Sequence, residues 1–397
     1  MTRTQPHLAT LVLLTALSVL TLNMFLPALP AMREAFDVSE AVMGRSISLY
    51  MLAAAVLQLL LGSLSDRLGR RPVILGLLVL YAMASVLCLM AENITLFLLA
   101  RTGQAVAVGG GILASAVVRD MYDGRQAAAK LSLIASAMAI APMLAPMLGG
   151  LLETAFGWRS VFVTYAVLGG GLLLWCLRDL GETHTPGPGR SMRVGALLRE
   201  RLFWAYVGIQ ALGVGAFYMF LTGAPFVAAD VFGLEPAQIG IALGSTTAGF
   251  MLGAGLSARL VQRIEPMRLI LLGRILPIFA VGAAIIYYMN GGATVAPLFL
   301  STVVAGIGNG LSLANANAGA LSVRPDLAGS ASGVSGAIAL GLGAALSWLT
   351  TAVLGDGATP QGLLLLILAA LSLALAAALA AAAWEQGETG VSNQKTP

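Results

Sequence analysis

Apolar runs of about 20 residues recur along the whole chain, separated by short turns that carry charge, glycine or proline. Each run is long enough to cross a bilayer core of roughly 30 Å. A soluble chain of 397 residues would be read as two or three domains, but 58% hydrophobic and 10% charged residues exclude that reading. In hydrocarbon no water satisfies the backbone, so each run must close its own hydrogen bonds as a helix. The expected fold class is an all-α membrane protein.

Twelve helices are expected, at about 8–32, 43–63, 73–90, 95–118, 130–152, 159–178, 203–229, 237–262, 267–289, 296–322, 328–352 and 361–384. With a cytoplasmic N-terminus, the segments on that side hold 17 of the 22 basic residues, from Arg3 through the cluster Arg67, Arg70 and Arg71 to Arg190, Arg193 and Lys395. The opposite side holds Arg33 and Arg159. This positive-inside bias places both termini in the cytoplasm. It also accounts for the net charge of +4 as topology, with no nucleic-acid partner implied. The first run follows Arg3 as a signal peptide would, but Pro27 and Pro30 stand where a small-residue cleavage site would be, so it is read as an uncleaved first helix. Cys88 and Cys176 fall inside apolar helices and are read as packing residues. His7 and His184 have no Cys or carboxylate at ligand spacing, so neither a metal nor another cofactor is expected.

Residues 179–202, with Pro, Gly and charge, break the rhythm and divide the chain into six helices and six helices. The expected organisation is a bundle over 1–180, a cytoplasmic loop over 181–202, and a second bundle with a short tail over 203–397. The first half carries Gly62-Ser-Leu-Ser-Asp66-Arg67-Leu-Gly69-Arg70-Arg71 between its second and third helices; charges packed that tightly between hydrocarbon-length runs mark a short cytoplasmic turn. The second half repeats it in worn form as Gly255-Leu-Ser-Ala258-Arg259-Leu-Val-Gln-Arg263, with alanine for the acid. Repeated halves imply pseudo-two-fold symmetry along the membrane normal and a substrate site between them near the midplane.

The Gly62–Arg71 pattern resembles the loop between helices two and three of major facilitator superfamily transporters. Further segments resemble one branch, the Bcr/CflA-type (bicyclomycin/amphenicol resistance) drug/proton antiporters: Asn23-Met-Phe-Leu-Pro27-Ala-Leu-Pro30 in helix one, Arg101-Thr-Gly-Gln104 in helix four, Ala141-Pro142-Met-Leu-Ala145-Pro146-Met-Leu-Gly149-Gly150 in helix five, and Asn315-Ala-Asn317 in helix ten. The resemblance covers nearly the whole chain. It implies two pseudo-symmetric six-helix bundles and alternating access. It also implies an antiporter motif at Pro142, Pro146, Gly149 and Gly150, and a cytoplasmic latch at Gly62, Asp66, Arg67, Gly69, Arg70 and Arg71. In the family the latch acid contacts arginines or a helix N-terminus, and the arginines also anchor anionic lipid.

Arg101 lies about six residues, roughly 9 Å, inside its helix. A charge at that depth is costly unless it faces a cavity or a partner; the alternative is snorkelling to the interface. Gln104, three residues on, shares its face. Asn23 lies roughly 13 Å from the outer end of helix one. The resembling family has a coupling acid there, whereas this chain has an amide, and every Asp and Glu falls outside the membrane interior. Asn23 either mimics a protonated acid in the cavity or hydrogen-bonds a neighbouring helix. Tyr50, Phe217 and Phe220 offer an adaptable apolar lining, although aromatic residues in a span also serve as packing. Asn315 and Asn317 stand about 200° apart around helix ten, so at most one faces a cavity. Arg274 in helix nine is expected to snorkel to the cytoplasmic interface, and Glu34 is the first alternative coupling acid.

The resulting reading is a monomeric inner-membrane exporter of small amphiphilic or drug-like compounds, with membrane lipid and protons as further partners. The rival within transport is a facilitator for a small, anionic metabolite. A membrane enzyme or receptor would need a nucleophile, metal cluster or soluble domain, and the sequence offers none.

Overall fold

The computed structural model describes residues 6–184 and 194–393. Arg3, Arg190, Arg193 and Lys395 lie outside the described residues, as does the middle of the 181–202 loop. Twelve helices long and apolar enough to cross a membrane are present among the described residues: α1 Leu8–Ala35, α2 Glu40–Leu68, α3 Arg70–Leu89, α4 Ile94–Met121, α5 Gly124–Phe156, α6 Arg159–Asp179, α7 Arg201–Asp230, α8 Pro236–Leu260, α9 Pro266–Met289, α10 Ala296–Ser322, α11 Pro325–Leu354 and α12 Pro360–Glu385. The protein is an all-helical, multi-pass membrane protein.

Two spans are interrupted within their length, and α11 opens on a 3₁₀ turn at Pro325–Leu327. In α1 the α-helical segment ends at Asn23, a 3₁₀ turn covers Leu26–Ala28, and helix resumes over Leu29–Ala35. Proline causes the break: Pro27 and Pro30 lack backbone N–H groups and crowd the preceding turn. In α4 a 3₁₀ turn at Gln104–Ala107 interrupts the span directly after Arg101 and Gly103. Short 3₁₀ stretches inside a helix tighten the backbone locally and often mark functional positions. By contrast, α5 stays helical through Pro142 and Pro146.

The chain forms two compact units, one of residues 1–191 with 228–244, the other of residues 192–227 with 245–397. In the first, α1 packs against α4, α5 and α6, α3 against α4 and α6, and α2 against α4. In the second, α9 packs against α10 and α12, and α10 and α12 against α11.

Lipid supplies no hydrophobic drive between helices, so close backbone approach carries the packing. A Cβ built on Gly149 of α5 would stand 1.6 Å from the Met24 carbonyl oxygen of α1. In the second unit the contact is reciprocal: Gly249 and Gly253 of α8 lie under the Val303 and Ile307 carbonyls of α10, while Gly306 and Gly310 lie under those of Thr246 and Phe250. Two facing Gly-x-x-x-Gly rows thus let α8 and α10 touch backbone to backbone.

The Gly149 contact sets the position of α1 just where Asn23 sits, and it generates a prediction. Gly149→Ala should lower the thermal unfolding midpoint of the purified protein, with an overpacking cost of about 1–3 kcal/mol. Gly170→Ala, where a Cβ would meet nothing within 4 Å, should leave the midpoint unchanged. Equal midpoints for the two variants would show that α1 and α5 separate freely.

Candidate functional site

The first unit encloses a polar cluster around Arg101, whose side chain is 0% exposed. Its Nη1 donates to Gln104 Oε1 at 2.7 Å and its Nη2 to the Thr21 carbonyl of α1 at 2.8 Å. The guanidinium lies between two rings, with Cζ 4.0 Å from the Phe25 centroid and 4.6 Å from that of Tyr50. Stacking of this kind replaces water with the electron-rich face of an aromatic ring. Arg101 therefore does not snorkel. It is held by hydrogen bonds and rings, with no carboxylate in contact among the described residues, and its Nε lacks a partner there.

From there the network runs inward. Gln104 Nε2 donates to Ser85 Oγ at 2.9 Å, and Ser85 Oγ to the Tyr81 carbonyl at 2.8 Å. The Tyr81 hydroxyl bonds Thr21 Oγ1 at 2.8 Å, and the Tyr165 hydroxyl donates to the Thr21 carbonyl at 3.1 Å. The cluster thus draws on α1, α2, α3, α4 and α6. Sequence reading missed Thr21, Tyr81, Ser85 and Tyr165, since hydroxyl residues in apolar helices carry no pattern of their own.

Asn23 is nearly buried at 5% exposure. Its Nδ2 donates to the Val19 carbonyl of its own helix at 2.8 Å, and among the described residues no hydrogen bond joins it to a neighbouring helix. The residue stands between Thr21 and Phe25, both of which touch Arg101, at the point where α1 leaves α-helical geometry. Tyr50 is also buried, and its hydroxyl is unpartnered.

The second unit holds the remaining proposed cavity residues. Phe220 is buried edge-on against Phe299 with centroids 5.9 Å apart, and Phe217 meets Tyr218 edge-on as well. Both aromatics line a narrow cavity with Thr246, Thr302 and Asn309, with room for about one water. Asn315 donates to Ser257 Oγ of α8 at 2.9 Å, whereas Asn317 on the other side of α10 is exposed. The expectation for Arg274 is overturned: it is 0% exposed, deep in the unit, donating from Nη1 to Asn309 Oδ1 at 2.8 Å. Asn309 turns its Nδ2 to the Gly213 carbonyl of α7 at 3.2 Å. At Gly213 a Cβ would lie 2.5 Å from Nη1, so the glycine makes room for the guanidinium.

At the end of the first unit bearing the α2–α3 turn, the charged motif is largely helical. Asp66 and Arg67 belong to the last turns of α2, Arg70 begins α3, and Gly69 alone makes the corner with φ 95°, a conformation that suits glycine. Asp66 pairs with Arg70 at 2.6 Å, and Arg70 Nε also reaches Asp120 of α4 at 2.9 Å. The N-terminus of α3 is taken by Glu182, which accepts from Arg70 N at 2.9 Å and Arg71 N at 3.2 Å. A carboxylate there complements the positive end of the helix dipole. Arg71 also donates from Nε to the Leu180 carbonyl, and Arg67 is exposed. At the opposite end Arg33 of α1 bonds Asp230 at 2.6 Å and Glu40 at 3.2 Å. Glu40 is 4% exposed against 76% for Glu34.

Of the antiporter-motif residues, the Pro146 carbonyl is approached closely by Gly240 of α8, and Gly150 lies under the Pro236 carbonyl. These small-residue contacts tie the first turns of α8 to α5.

The sequence of residues 11–348 matches the Major Facilitator Superfamily profile. The chain belongs to that superfamily. It is 29% identical over 369 residues to the uncharacterized MFS-type transporter YdgK of Bacillus subtilis, covering 90% of this chain and 91% of that one. It is 31% identical over 343 residues to the multidrug resistance protein MdtL of Shigella dysenteriae, covering 85% and 86% of the two chains. Among solved structures, a bacterial homolog of the human lysosomal transporter Spinster aligns with a TM-score of 0.75 at 18% identity, covering 94% of this chain and 96% of that one. The nucleoside transporter NupG aligns with a TM-score of 0.74 at 16% identity, covering 95% and 99%. The fold is that of the superfamily, and the protein is a transporter, not an enzyme.

Two predictions follow from this geometry. Arg101→Ala should abolish transport, and Arg101→Lys should restore less than about a tenth of it, because an ammonium cannot stack between two rings while forking to Gln104 and Thr21. Transport rate per inserted protein checks this, and full activity of the Lys variant would reduce Arg101 to a generic positive charge. Asp66→Asn should slow transport severalfold with membrane insertion unchanged, since Arg70 then balances on Asp120 alone. Wild-type rates at equal expression would remove Asp66 from the transport cycle.

Proposed function

We propose that this protein exports small amphiphilic or drug-like compounds across the bacterial inner membrane by alternating access, as a Bcr/CflA-type member of the superfamily. The observation that carries the reading is the buried, ring-clasped Arg101 next to the α1 break. The cluster offers two aromatic faces and one fixed cation in a water-poor setting, the mixture that binds amphiphiles by apolar contact and orients them by one polar group. Similarity to a multidrug resistance protein supports the same substrate class.

In this reading Asn23, Tyr50, Arg101 and Gln104 take part in substrate binding or coupling, with Phe217, Phe220 and one of Asn315 and Asn317 as further contacts. Asp66, Arg67, Arg70 and Arg71, with Gly62 and Gly69 shaping their turn, form the latch, and both termini are cytoplasmic. The protein works as a monomer. A second reading, a facilitator for an anionic metabolite without proton coupling, draws on one specific feature: among the described residues no carboxylate pairs with Arg101, so no acid of the protein neutralises its charge.

The two readings separate at position 23. A carboxylate near Arg101 has its proton affinity raised by desolvation and lowered by the cation, and so it can load and release a proton as its surroundings change. Asn23 cannot titrate. The chain as it stands should therefore bind substrate but accumulate it poorly, with transport into everted vesicles nearly indifferent to a proton gradient. Asn23→Asp should make export pH-dependent. Strong uphill, proton-driven export by the unaltered protein would refute this and move coupling to Glu40 and Asp230 at Arg33.

A further inference from the structure

Arg274 is a fully buried cation in the second unit that no carboxylate approaches among the described residues. Its hydrogen bonding is one-sided. Nη1 is used by Asn309, while Nε and Nη2 are buried and have no partner. Those two nitrogens form one edge of the planar guanidinium, the edge whose parallel N–H bonds match two oxygens of a carboxylate. Arg101 differs: both of its terminal nitrogens are bonded, two rings cover it, and Nε alone is free.

Asn309 cannot satisfy the free edge. Its oxygen already accepts from Nη1 and its amide group is turned to the Gly213 carbonyl. Asn309 also lines the narrow cavity with Thr246, Thr302, Phe217 and Phe220. A buried cation with an open donor fork attracts an anion strongly, because little water competes for either charge. Arg274 itself does not line that cavity and is joined to it through Asn309; the cavity has room for about one water, which excludes a whole drug-sized molecule.

We infer that Arg274, with Asn309 holding it in place, is the anion-binding residue of the second unit and takes a small monovalent anion on its Nε–Nη2 edge. The anion is either a free halide or the carboxylate of a larger compound. The inference goes beyond the export reading, and its test measures binding alone. Anion binding without export would sink the transport proposal and leave this one standing.

The experiment follows thermal unfolding of the purified full-length protein in potassium chloride, formate or benzoate, against potassium sulfate at equal ionic strength. At least one monovalent salt should raise the midpoint by about 2 °C or more, saturating with concentration. A rise with formate and benzoate that chloride does not reproduce identifies a carboxylate site; a rise with chloride alone identifies a halide site. Arg274→Gln should lose the rise, and Arg101→Gln should keep it. Arg274→Lys, which keeps the charge without the fork, should retain a chloride response and lose a carboxylate one. Identical wild-type midpoints in all four salts would overturn the inference, which keeps it testable even if the Gln variant fails to fold. Retention of the full rise in Arg274→Gln would overturn it equally.

Discussion

Hydrocarbon leaves a polar group no solvent to fall back on, and each distinctive feature of this protein answers that constraint. Backbone groups close within twelve helices. Where proline or a 3₁₀ turn breaks the pattern, in α1 and α4, the break lies beside the Arg101 cluster and its hydrogen-bonding groups. The interruption and the polar network belong together. Irregular backbone is tolerated at membrane depth where protein surrounds it, and a buried cation is tolerated where carbonyls and rings replace water.

The two buried arginines answer the same constraint differently. Arg101 is enclosed by ligands from its own unit: an amide, a carbonyl and two ring faces. Arg274 has one amide and a glycine-shaped recess, with a free donor edge. The first cluster draws on α1, α3 and α4 among others, and the second on α7, α9 and α10. The arginine sits on α4 in the first and on α9 in the second.

Much of this was legible in the sequence, and what was not has physical reasons. The spans could be read because hydrocarbon thickness fixes their length and hydropathy. Arg101 and Gln104 stood out because a charge with an amide one turn away is rare in an apolar run. Arg274 was misjudged: a long side chain near a helix end can reach the interface, and sequence does not tell whether a facing glycine offers a recess instead. The turn after Gly62 looked like a loop because its charges cannot face lipid, yet helix continues through Asp66 and Arg67 to the corner at Gly69. Glu182, which occupies the N-terminus of α3, lies more than a hundred residues away in a linker with no motif. Pairings of that kind, like Arg33 with Asp230, depend on tertiary placement alone.

Position 23 shows how far such reasoning reaches. Its amide nitrogen donates to the Val19 carbonyl of the same helix. A carboxylate in that place could not make the Val19 bond when ionised, because it has no N–H, and could make it through its O–H when protonated. Asparagine supplies that donor permanently, and an acid supplies it only with a proton aboard. An acid here would therefore hold the Val19 carbonyl only while protonated, whereas the amide holds it at every pH.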